Sequence, residues 1–344
     1  MKKFDDRKFV SLKRNKRQIL RTLIKQQSLE EKDIERGRVI VQEGRSYLVE
    51  SIDYPSRSLA QCVISGTVST ENLDSTILVV GDYVSFKRDG SSISAELDSG
   101  KILNIEKRES FLSRKDLIKP QEDIIAANIE KLIIFCSAAE PFYNTRLIDR
   151  YIIAAEIGSL EPVICVNKMD LVDSQEAEVK EDLDVYRKLG IKLFFISALN
   201  KSNFEPFFDY INKSSSVLSG PSGCGKSTLI NSVFGKELQK IKEISEKWNK
   251  GTHTTSSIKL FKFQEGGEII DTPGIREFAI WGLIPSELHL YFHEFDDYSP
   301  QCRYVRCTHI HEPDCAVLKA LEDGQISYSR YESYLNIYST IEEG

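Results

Sequence analysis

The fold is predicted most directly by one stretch, Gly220-Pro221-Ser222-Gly223-Cys224-Gly225-Lys226-Ser227-Thr228. It matches the phosphate-binding pattern of a glycine, four residues and then Gly-Lys-Ser/Thr. Val217 and Leu218 before it predict a strand, and residues Thr228 to Phe234 predict a helix. In that context the backbone N–H groups cradle phosphate oxygens at the positive end of the helix. The stretch therefore indicates a nucleotide site rather than a Gly/Ser-rich surface loop.

Two side chains of this phosphate loop (Gly220–Thr228) predict its chemistry. Lys226 can reach the terminal phosphates of a nucleotide, and the Ser227 hydroxyl can ligate Mg²⁺. We assign every residue of the loop except Pro221 to nucleotide binding.

A second motif, Asn167-Lys168-Met169-Asp170, follows the apolar run Pro162–Val166. The Asp170 carboxylate can accept both the ring N–H and the exocyclic amine of guanine, and adenine offers no such pair. Asn167 can either bond the ring edge or brace a loop, and the Lys168 stem can stack on the base. Ser197-Ala198 follows the next predicted strand and can place a backbone N–H against the guanine oxygen. The motif predicts selection of guanine.

A third motif, Asp271-Thr272-Pro273-Gly274, follows the apolar pair Ile269-Ile270. Asp271 can hold the water shell of Mg²⁺, and the Gly274 N–H can sense the γ-phosphate. Upstream, Thr254 or Thr255 is placed to ligate Mg²⁺ in the triphosphate state, and we take Thr255 as the ligand. The predicted magnesium ligands are Ser227, Thr255 and Asp271.

Hydrolysis requires a group that orients the attacking water. Many GTPases use a glutamine just after Asp-x-x-Gly, but here Ile275 occupies that place. His253 is the nearest polar candidate, and the alternative is a structural or solvent-facing histidine. The candidate catalytic residues are His253, Lys226 and Thr255.

The order of the motifs predicts the topology. Ordinary GTPases have the phosphate loop first, whereas here Asn-Lys-x-Asp and Ser-Ala precede it, which indicates a circular permutation. Buried runs at Leu132–Cys136, Pro162–Val166 and Leu193–Ile196 alternate with predicted helices. One helix is predicted over Arg146–Ile157 with Asn144 as its cap, and another starts with a capping box at Asp173 and Glu176 and ends at Gly190. This alternation predicts a parallel doubly wound α/β sheet with its ligands at the carboxyl ends of the strands.

The N-terminal third has a different character. Residues 1–36 form a basic arm with ten Lys and Arg against two Asp up to Lys25, which indicates a polyanionic partner or else a solubilising tail. Short β-type runs follow and predict a small barrel, either an OB-fold or an SH3-like one. These runs are Arg38–Val41, Tyr47–Glu50, Leu59–Ile64, Asp82–Phe86, Ser91–Leu97 and Lys101–Ile105.

Near the C-terminus, Cys302, Cys307, His309 and Cys315 lie within fourteen residues. Three thiolates and one imidazole at this spacing suit a closed tetrahedral zinc site, with His311 as an alternative to His309. An odd total of seven cysteines argues against disulfides. Aromatic and aliphatic residues at helical spacing after the site predict a packing face: Tyr331, Tyr334, Leu335, Tyr338 and Ile341.

The composition is that of a globular chain with several domains. It has 344 residues, a net charge of −6 and 41% hydrophobic residues. No apolar run reaches the ~20 residues of a membrane span. The basic N-terminus has no apolar signal core. We expect a cytoplasmic monomer without a membrane partner.

With these motifs assembled, the chain resembles the bacterial ribosome small-subunit-dependent GTPase A family. The resemblance runs from about Arg38 to Leu321 and includes Asp123–Asn128 (DIIAAN), Asn144–Tyr151 (NTRLIDRY) and the pattern Cys-x4-Cys-x-His-x5-Cys. It implies a GTPase that binds the immature small (30S) ribosomal subunit and its rRNA in the GTP form and leaves after subunit-stimulated hydrolysis. The family's catalytic histidine falls on His253. Thr252 and Ser256 depart from the family's usual Arg and Thr.

The sequence predicts a multidomain chain. A basic extension (1–36) precedes an OB-fold β-barrel that binds RNA (37–110), a circularly permuted α/β P-loop GTPase domain (111–280) and a mainly helical zinc-binding domain (281–344). The expected cofactors are one structural Zn²⁺ and Mg²⁺ with GTP or GDP. One alternative is an RNA-binding protein that uses guanine nucleotide only as a switch ligand. A P-loop ATPase or kinase is the other, and Asp170 argues against it.

Overall fold

The computed structural model describes residues 33–54, 59–66, 76–94, 97–116, 119, 121–235, 258–274 and 278–342. The described residues form two compact units. The first takes its residues from 33–38, 45–66 and 83–106, and the second from 39–44, 76–82 and 107–342. Nearly all of the predicted basic arm, residues 1–32, lies outside the described residues.

The first unit is a closed barrel. It consists of the first half of β1 (Ile34–Glu43) together with β2 (Ser46–Ser51), β3 (Leu59–Ile64), β4 (Tyr83–Ser94) and β5 (Leu97–Ile105). They pair in the order β1-β2-β3-β5-β4, and β4 pairs back with β1 through Gly37 and Val84. β3 and β5 run parallel, with Cys62 opposite Gly100. This five-stranded Greek-key order is that of the OB-fold, so the structure decides between the two predicted barrels.

The predicted run Ser91–Leu97 does not form a strand of its own. β4 continues to Ser94, and β5 begins at Leu97. Asp89-Gly90 is a dipeptide that usually marks a turn, but the strand passes through it with register shifts between Arg88 and Ser94. Gly90 has φ of +81°, which a glycine tolerates inside a bulge. A dipeptide that usually predicts a turn therefore lies within an irregular part of a strand.

The second unit is built on a mainly parallel sheet. Its order is β10-β9-β8-β11-β13-β12, followed by the second half of β1. β8 to β11 and β13 run parallel, whereas β12 is antiparallel to β13 and β1. A separate hairpin, β6 and β7, precedes the sheet. The strands are β6 (Phe111–Lys115), β7 (Glu122–Ala127), β8 (Lys131–Ser137), β9 (Glu161–Asn167), β10 (Lys192–Phe195), β11 (Ser215–Ser219), β12 (Ile258–Lys262) and β13 (Glu268–Asp271).

The helices flank this sheet and continue into the C-terminal region. They are α1 (Thr145–Ile157), α2 (Glu176–Asp182), α3 (Asp184–Lys188), α4 (Phe204–Ile211), α5 (226–235), α6 (Ala316–Glu322) and α7 (Tyr328–Glu342). Short 3₁₀ turns occupy Pro285–Tyr291, His293–Phe295 and Ser299–Gln301. The side chain of Asn144 accepts from the Arg146 and Leu147 N–H groups, so the predicted cap of α1 is confirmed.

The predicted capping box at Asp173 is wrong. Asp173 starts a 3₁₀ turn that ends at Gln175, and α2 begins only at Glu176 without a side-chain cap. The helix expected to run on to Gly190 is interrupted at Leu183. Leu183, at the interruption, is fully buried and has φ of −92° and ψ of 0°.

The permuted topology has a direct consequence for the site. β11 follows β8, β9 and β10 in the chain but lies between β8 and β13 in the sheet. Because these five strands are parallel, their carboxyl ends meet at one edge. The register places Ser137 opposite Asn167 and Leu218 opposite Asp271. All the predicted nucleotide motifs in the described residues therefore leave the sheet at the same edge.

The C-terminal module (residues 281–342) has its own apolar core, which includes Leu288, Phe292, Phe295, Val317 and Tyr334. Phe292 and Tyr334 meet edge to face at 5.2 Å between ring centroids. Ile153 of α1 belongs to the same cluster, so this core continues into the α/β part of the second unit. None of the helices in the described part of the chain has the length and apolar character needed to cross a membrane.

Candidate nucleotide site and metal centre

The phosphate loop connects β11 to α5 with glycines at its tightest points. Gly223 and Gly225 have φ of +84° and +102°, in the region that favours glycine. A Cβ at Gly220 would lie 1.9 Å from the Phe135 carbonyl oxygen, and one at Gly225 would lie 2.3 Å from Asn167 Nδ2. The strand–loop–helix context that the motif requires is therefore present, and the loop is packed tightly against β8 and β9.

The polar side chains of the loop divide into an inner and an outer group. The Lys226 ammonium donates to the Gly220 and Pro221 carbonyl oxygens at 2.7 and 2.9 Å, and this side chain is buried. Ser227 and Thr228 are exposed on the first turn of α5. A cation held inside the loop and hydroxyls at its rim are the groups that phosphate and Mg²⁺ require.

Asn167 joins two of the predicted motifs. Its Nδ2 donates to the Cys224 carbonyl oxygen at 2.9 Å, and its Oδ1 accepts from the Ala198 N–H at 2.8 Å. The side chain is only 3% exposed. Of the two roles left open by the sequence, the structure places Asn167 in the role of a brace, which holds the phosphate loop and Ser197-Ala198 together.

Lys168 and Asp170 follow the brace in the chain, and both are only partly buried. Lys168 has φ of +61°, and its ammonium donates to the Glu140 carbonyl oxygen at 2.5 Å. Asp170 follows on a 3₁₀ turn, Met169–Leu171, and is partly buried. The Ser197 hydroxyl accepts from the Asn200 N–H at 3.3 Å. The carboxylate and the Ser-Ala turn therefore stand at neighbouring strand ends, as guanine recognition requires.

Asp271 ends β13 beside the phosphate loop. Burial raises the pKa of Asp271 to about 6, although the Lys226 and Lys259 ammonium groups act in the opposite direction. Its Oδ1 is buried and makes no hydrogen bond within the described residues. A buried carboxylate oxygen without a donor suits a hard cation, so Asp271 fits the predicted Mg²⁺ role.

Gly274 brings the third motif against the phosphate loop. A Cβ at this position would lie 2.9 Å from the Ser222 Cα. Thr272 anchors the segment, since its hydroxyl donates to the Leu218 carbonyl oxygen at 2.8 Å. The Gly274 backbone is thus held where only a glycine fits. His253, Thr254 and Thr255 belong to residues 236–257, outside the described part of the chain, and their roles stay predictions.

The four predicted zinc ligands converge in the C-terminal module. One ligand atom from each of Cys302, Cys307, His309 and Cys315 lies within 4.8 Å of all the others. Cys302 Sγ is 3.8 Å from Cys315 Sγ and 3.6 Å from His309 Nδ1. His309 Nδ1 and Cys315 Sγ are 3.4 Å apart. Zinc bonds of about 2.3 Å to sulfur and 2.0–2.1 Å to nitrogen in a tetrahedron imply separations of about 3.8 and 3.5 Å. The cluster fits a zinc site, and the alternative ligand His311 lies outside it.

Burial affects the two kinds of ligand in this cluster in opposite ways: it favours the neutral imidazole that a metal binds, and it disfavours the thiolate. Burial lowers the pKa of His309 to about 4, so its imidazole is neutral at pH 7 and has a free lone pair. Burial raises the pKa of Cys307 to about 12, so this thiol remains protonated until a cation displaces the proton. The His309 Nε2 lies 3.4 Å from the Ser299 hydroxyl, which orients the ring.

Comparison with known proteins places the chain in a family. The family model described as RsgA GTPase matches residues 105–281. The small ribosomal subunit biogenesis GTPase RsgA of Chlorobaculum parvum is 39% identical over 305 residues, which cover 87% of this chain and 96% of that protein. The protein of the same name from Chlorobaculum tepidum is 40% identical with the same coverage. The chain belongs to the RsgA GTPase family.

Solved structures agree with this membership. YjeQ from Thermotoga maritima superposes with a TM-score of 0.67 at 29% identity, covering 90% of this chain and 98% of that one. YloQ, described as a circularly permuted GTPase, has a TM-score of 0.64 at 25% identity and covers 90% of this chain and 96% of its own. The predicted resemblance, the permuted GTPase fold and the N-terminal barrel are confirmed for this RsgA-family chain.

Several contacts around the RsgA-family site were not predicted. Glu140 holds Lys168 through its backbone carbonyl, which leaves no signal in a sequence. Tyr331 and Tyr334, predicted only as packing residues, are buried as expected. In addition, their hydroxyls donate to the His309 and Thr308 carbonyl oxygens at 2.8 and 2.6 Å. Helix α7 therefore supports the metal centre through hydrogen bonds as well as through its apolar face.

Proposed function

We propose that this chain hydrolyses GTP and acts in late maturation of the small ribosomal subunit. The observation that carries the proposal is the Asn167 brace, because it joins the phosphate loop to both guanine-reading segments. The relatives named small ribosomal subunit biogenesis GTPase support the partner. In this proposal the nucleotide binds at the carboxyl edge of the parallel sheet.

Binding is divided among the three motifs. Asp170 accepts from the guanine ring N–H and exocyclic amine, Lys168 covers the base, and the Ala198 N–H faces the guanine oxygen. The phosphate loop donates its backbone N–H groups, and Lys226 leaves the Gly220 and Pro221 carbonyls to meet the terminal phosphates. The proposed partners of this cytoplasmic monomer are the small ribosomal subunit with its rRNA and GTP or GDP.

Hydrolysis adds water to the γ-phosphorus and releases GDP and phosphate. Ser227, Thr255 and Asp271 are proposed to hold Mg²⁺, which would offset the negative charge of the phosphate groups when bound. The Gly274 N–H donates to the γ-phosphate. His253 is proposed to orient the attacking water or to accept its proton. With Ile275 in the place of the usual glutamine, we expect slow turnover until the subunit completes the site.

The flanking parts supply the partner contacts in this proposal. The OB-fold barrel (37–110) and the zinc domain (281–344), which precede and follow the GTPase domain (111–280) in the sequence, bind rRNA, and the basic arm (1–36) adds charge. One Zn²⁺ on Cys302, Cys307, His309 and Cys315 stabilises the C-terminal domain. Hydrolysis then releases the protein from the subunit.

The test is GTP hydrolysis by the purified chain, alone and with small ribosomal subunits, with ATP in place of GTP and Lys226→Ala as controls. We expect turnover that is specific to GTP, strongly stimulated by the subunits and absent from Lys226→Ala. Equal use of ATP would contradict guanine selection. Slow GTP turnover without stimulation would remove the ribosomal partner. Tight GTP binding with no turnover under any condition would favour a nucleotide-switched RNA-binding protein.

A further inference from the structure

Helix α1 carries two buried polar side chains that the proposed nucleotide site does not use. Asp149 and Tyr151 are both fully buried, and both belong to the motif Asn144–Tyr151. A buried carboxylate and a buried phenol need partners, because leaving either unpaired costs free energy. Their partners lie on opposite sides of α1.

Tyr151 faces the base of the phosphate loop. The Ser219 hydroxyl, itself fully buried, donates to the Tyr151 hydroxyl oxygen at 3.1 Å. Ser219 is the last residue of β11 and directly precedes Gly220. The Tyr151 ring also packs on Phe278, with 4.4 Å between centroids. Phe278 follows the Asp271–Gly274 motif by four residues. One side chain therefore touches the chain just before the phosphate loop and just after the third motif.

Asp149 fixes the other side of the helix. Its Oδ1 accepts from the Arg330 guanidinium and from the Tyr186 hydroxyl, the latter at 2.8 Å. Arg330 also donates from Nε to Glu294 at 2.6 Å and lies over the Phe292 ring at 4.4 Å. The Arg330 side chain is only 3% exposed. These contacts anchor α1 to the C-terminal module and leave it little freedom to shift.

The base of the phosphate loop, at Gly220, is tightly packed. A Cβ at Gly220 would already lie 1.9 Å from the Phe135 carbonyl oxygen, so Gly220 cannot move toward β8. Ser219 is held by the pairing of β11 with β8 and by its side-chain hydrogen bond to Tyr151. A small displacement here would move the N–H groups that meet phosphate, and such displacements have large effects on binding and rate.

We propose that Tyr151 is a positioning residue for nucleotide binding, which holds the base of the phosphate loop through Ser219 from an anchored helix. The inference rests on the proposed GTPase function. Tyr151 does not touch nucleotide; its hydroxyl sets where Ser219 and Gly220 lie, and its ring supports the chain that leaves the third motif.

The test is a double-mutant cycle in the full-length protein with Tyr151→Phe, Ser219→Ala and the double variant. Affinity for GTP and GDP is measured by titration with fluorescent nucleotide, and thermal unfolding is followed in parallel. We expect each single variant to raise the Kd for GTP about five- to tenfold, because part of the binding free energy must then restore the positions of Ser219 and Gly220. The double variant should lose no more than either single one, because both remove the same contact.

A matched control is Tyr334→Phe, which removes a buried phenol hydroxyl from the C-terminal module. It should lower the unfolding temperature and leave the Kd for GTP unchanged. If Tyr151→Phe lowers the unfolding temperature but spares the Kd, Tyr151 is merely structural and the proposal is wrong. Additive losses in the double variant would also overturn it. If the wild-type chain binds no GTP, the proposed function fails as well, and this outcome is distinguishable because it does not depend on any substitution.

Discussion

The Asn167 side chain donates to the Cys224 carbonyl oxygen at 2.9 Å and thereby joins two motifs that stand 57 residues apart in the chain. The same amide accepts from the Ala198 N–H. One buried residue thus holds three segments of the nucleotide site in register. We therefore expect guanine recognition and phosphate binding to depend on each other through this contact.

Asn167→Ala should weaken both nucleotide affinity and stability. The change leaves the Cys224 carbonyl and the Ala198 N–H without their partner, at a cost of about 1–3 kcal/mol for each buried group. We expect the free energy of unfolding to fall by on the order of 3 kcal/mol and the Kd values for GTP and GDP to rise at least about tenfold. Urea unfolding and nucleotide titration measure the two effects. Asn104→Ala, at an exposed barrel position, is the control and should change neither.

Asp271→Asn should stabilise the Mg²⁺-free protein and abolish Mg²⁺-dependent hydrolysis. Burial raises the pKa of Asp271 from 3.8 to about 6, so the folded state binds this proton more tightly than the unfolded state. Ionised Asp271 therefore lowers stability above pH 6 by about 3 kcal/mol, and this penalty is relieved as the pH falls from about 6 to about 4. Substitution by asparagine should remove that penalty at pH 8. It should also remove the contribution of Asp271 to the pH dependence of the free energy of unfolding.

The measurement is urea unfolding of the wild type and Asp271→Asn at pH 5 and pH 8 without Mg²⁺. Asp173→Asn, at an exposed position, is the matched control. Equal stability of Asp271→Asn and the wild type at pH 8 would contradict the expected cost of burying this charge. Undiminished hydrolysis by the variant would reject its role as a magnesium ligand.

Cys307→Ser should release zinc and unfold the C-terminal module. Structural zinc contributes on the order of 10 kcal/mol to small domains, and loss of one thiolate opens the tetrahedral site. Metal analysis of the purified protein should show one zinc per chain in the wild type and little in the variant. His311→Ala should keep its zinc, since His311 lies outside the ligand cluster. A wild-type protein without bound zinc would refute the assignment.

His253→Ala should lower GTP turnover while sparing GTP affinity. General base or water-positioning groups contribute about 10²–10⁴-fold to rate, and they do so without binding the ground state. Single-turnover hydrolysis with small ribosomal subunits, together with nucleotide titration, separates the two effects. His293→Ala, in the C-terminal module, serves as the comparison. An unchanged GTP turnover rate in His253→Ala would mean that His253 is a structural or solvent-facing residue.

Much of the fold and of the candidate site could be predicted from local patterns. The phosphate loop, the permuted motif order and the Cys₃His spacing involve residues close together in the chain, so their conformation follows from short-range sterics and ligand geometry. The errors are also local. Asp89-Gly90 resembles a turn signal, but a strand with shifted register passes through it. Asp173 and Glu176 resemble a capping box, but Asp173 starts a 3₁₀ turn instead.

The amino-acid order alone specified which groups can meet guanine, phosphate and zinc, because those residue types carry their chemistry wherever they stand. Only the tertiary structure decided their partners. Asn167 became a brace, and Tyr151 met Ser219 68 residues further along the chain, because the permuted sheet placed β11 beside β8. Arg330 reached Asp149 across 181 residues. Such contacts depend on topology and on the absence of space around each side chain, and neither is encoded in local spacing.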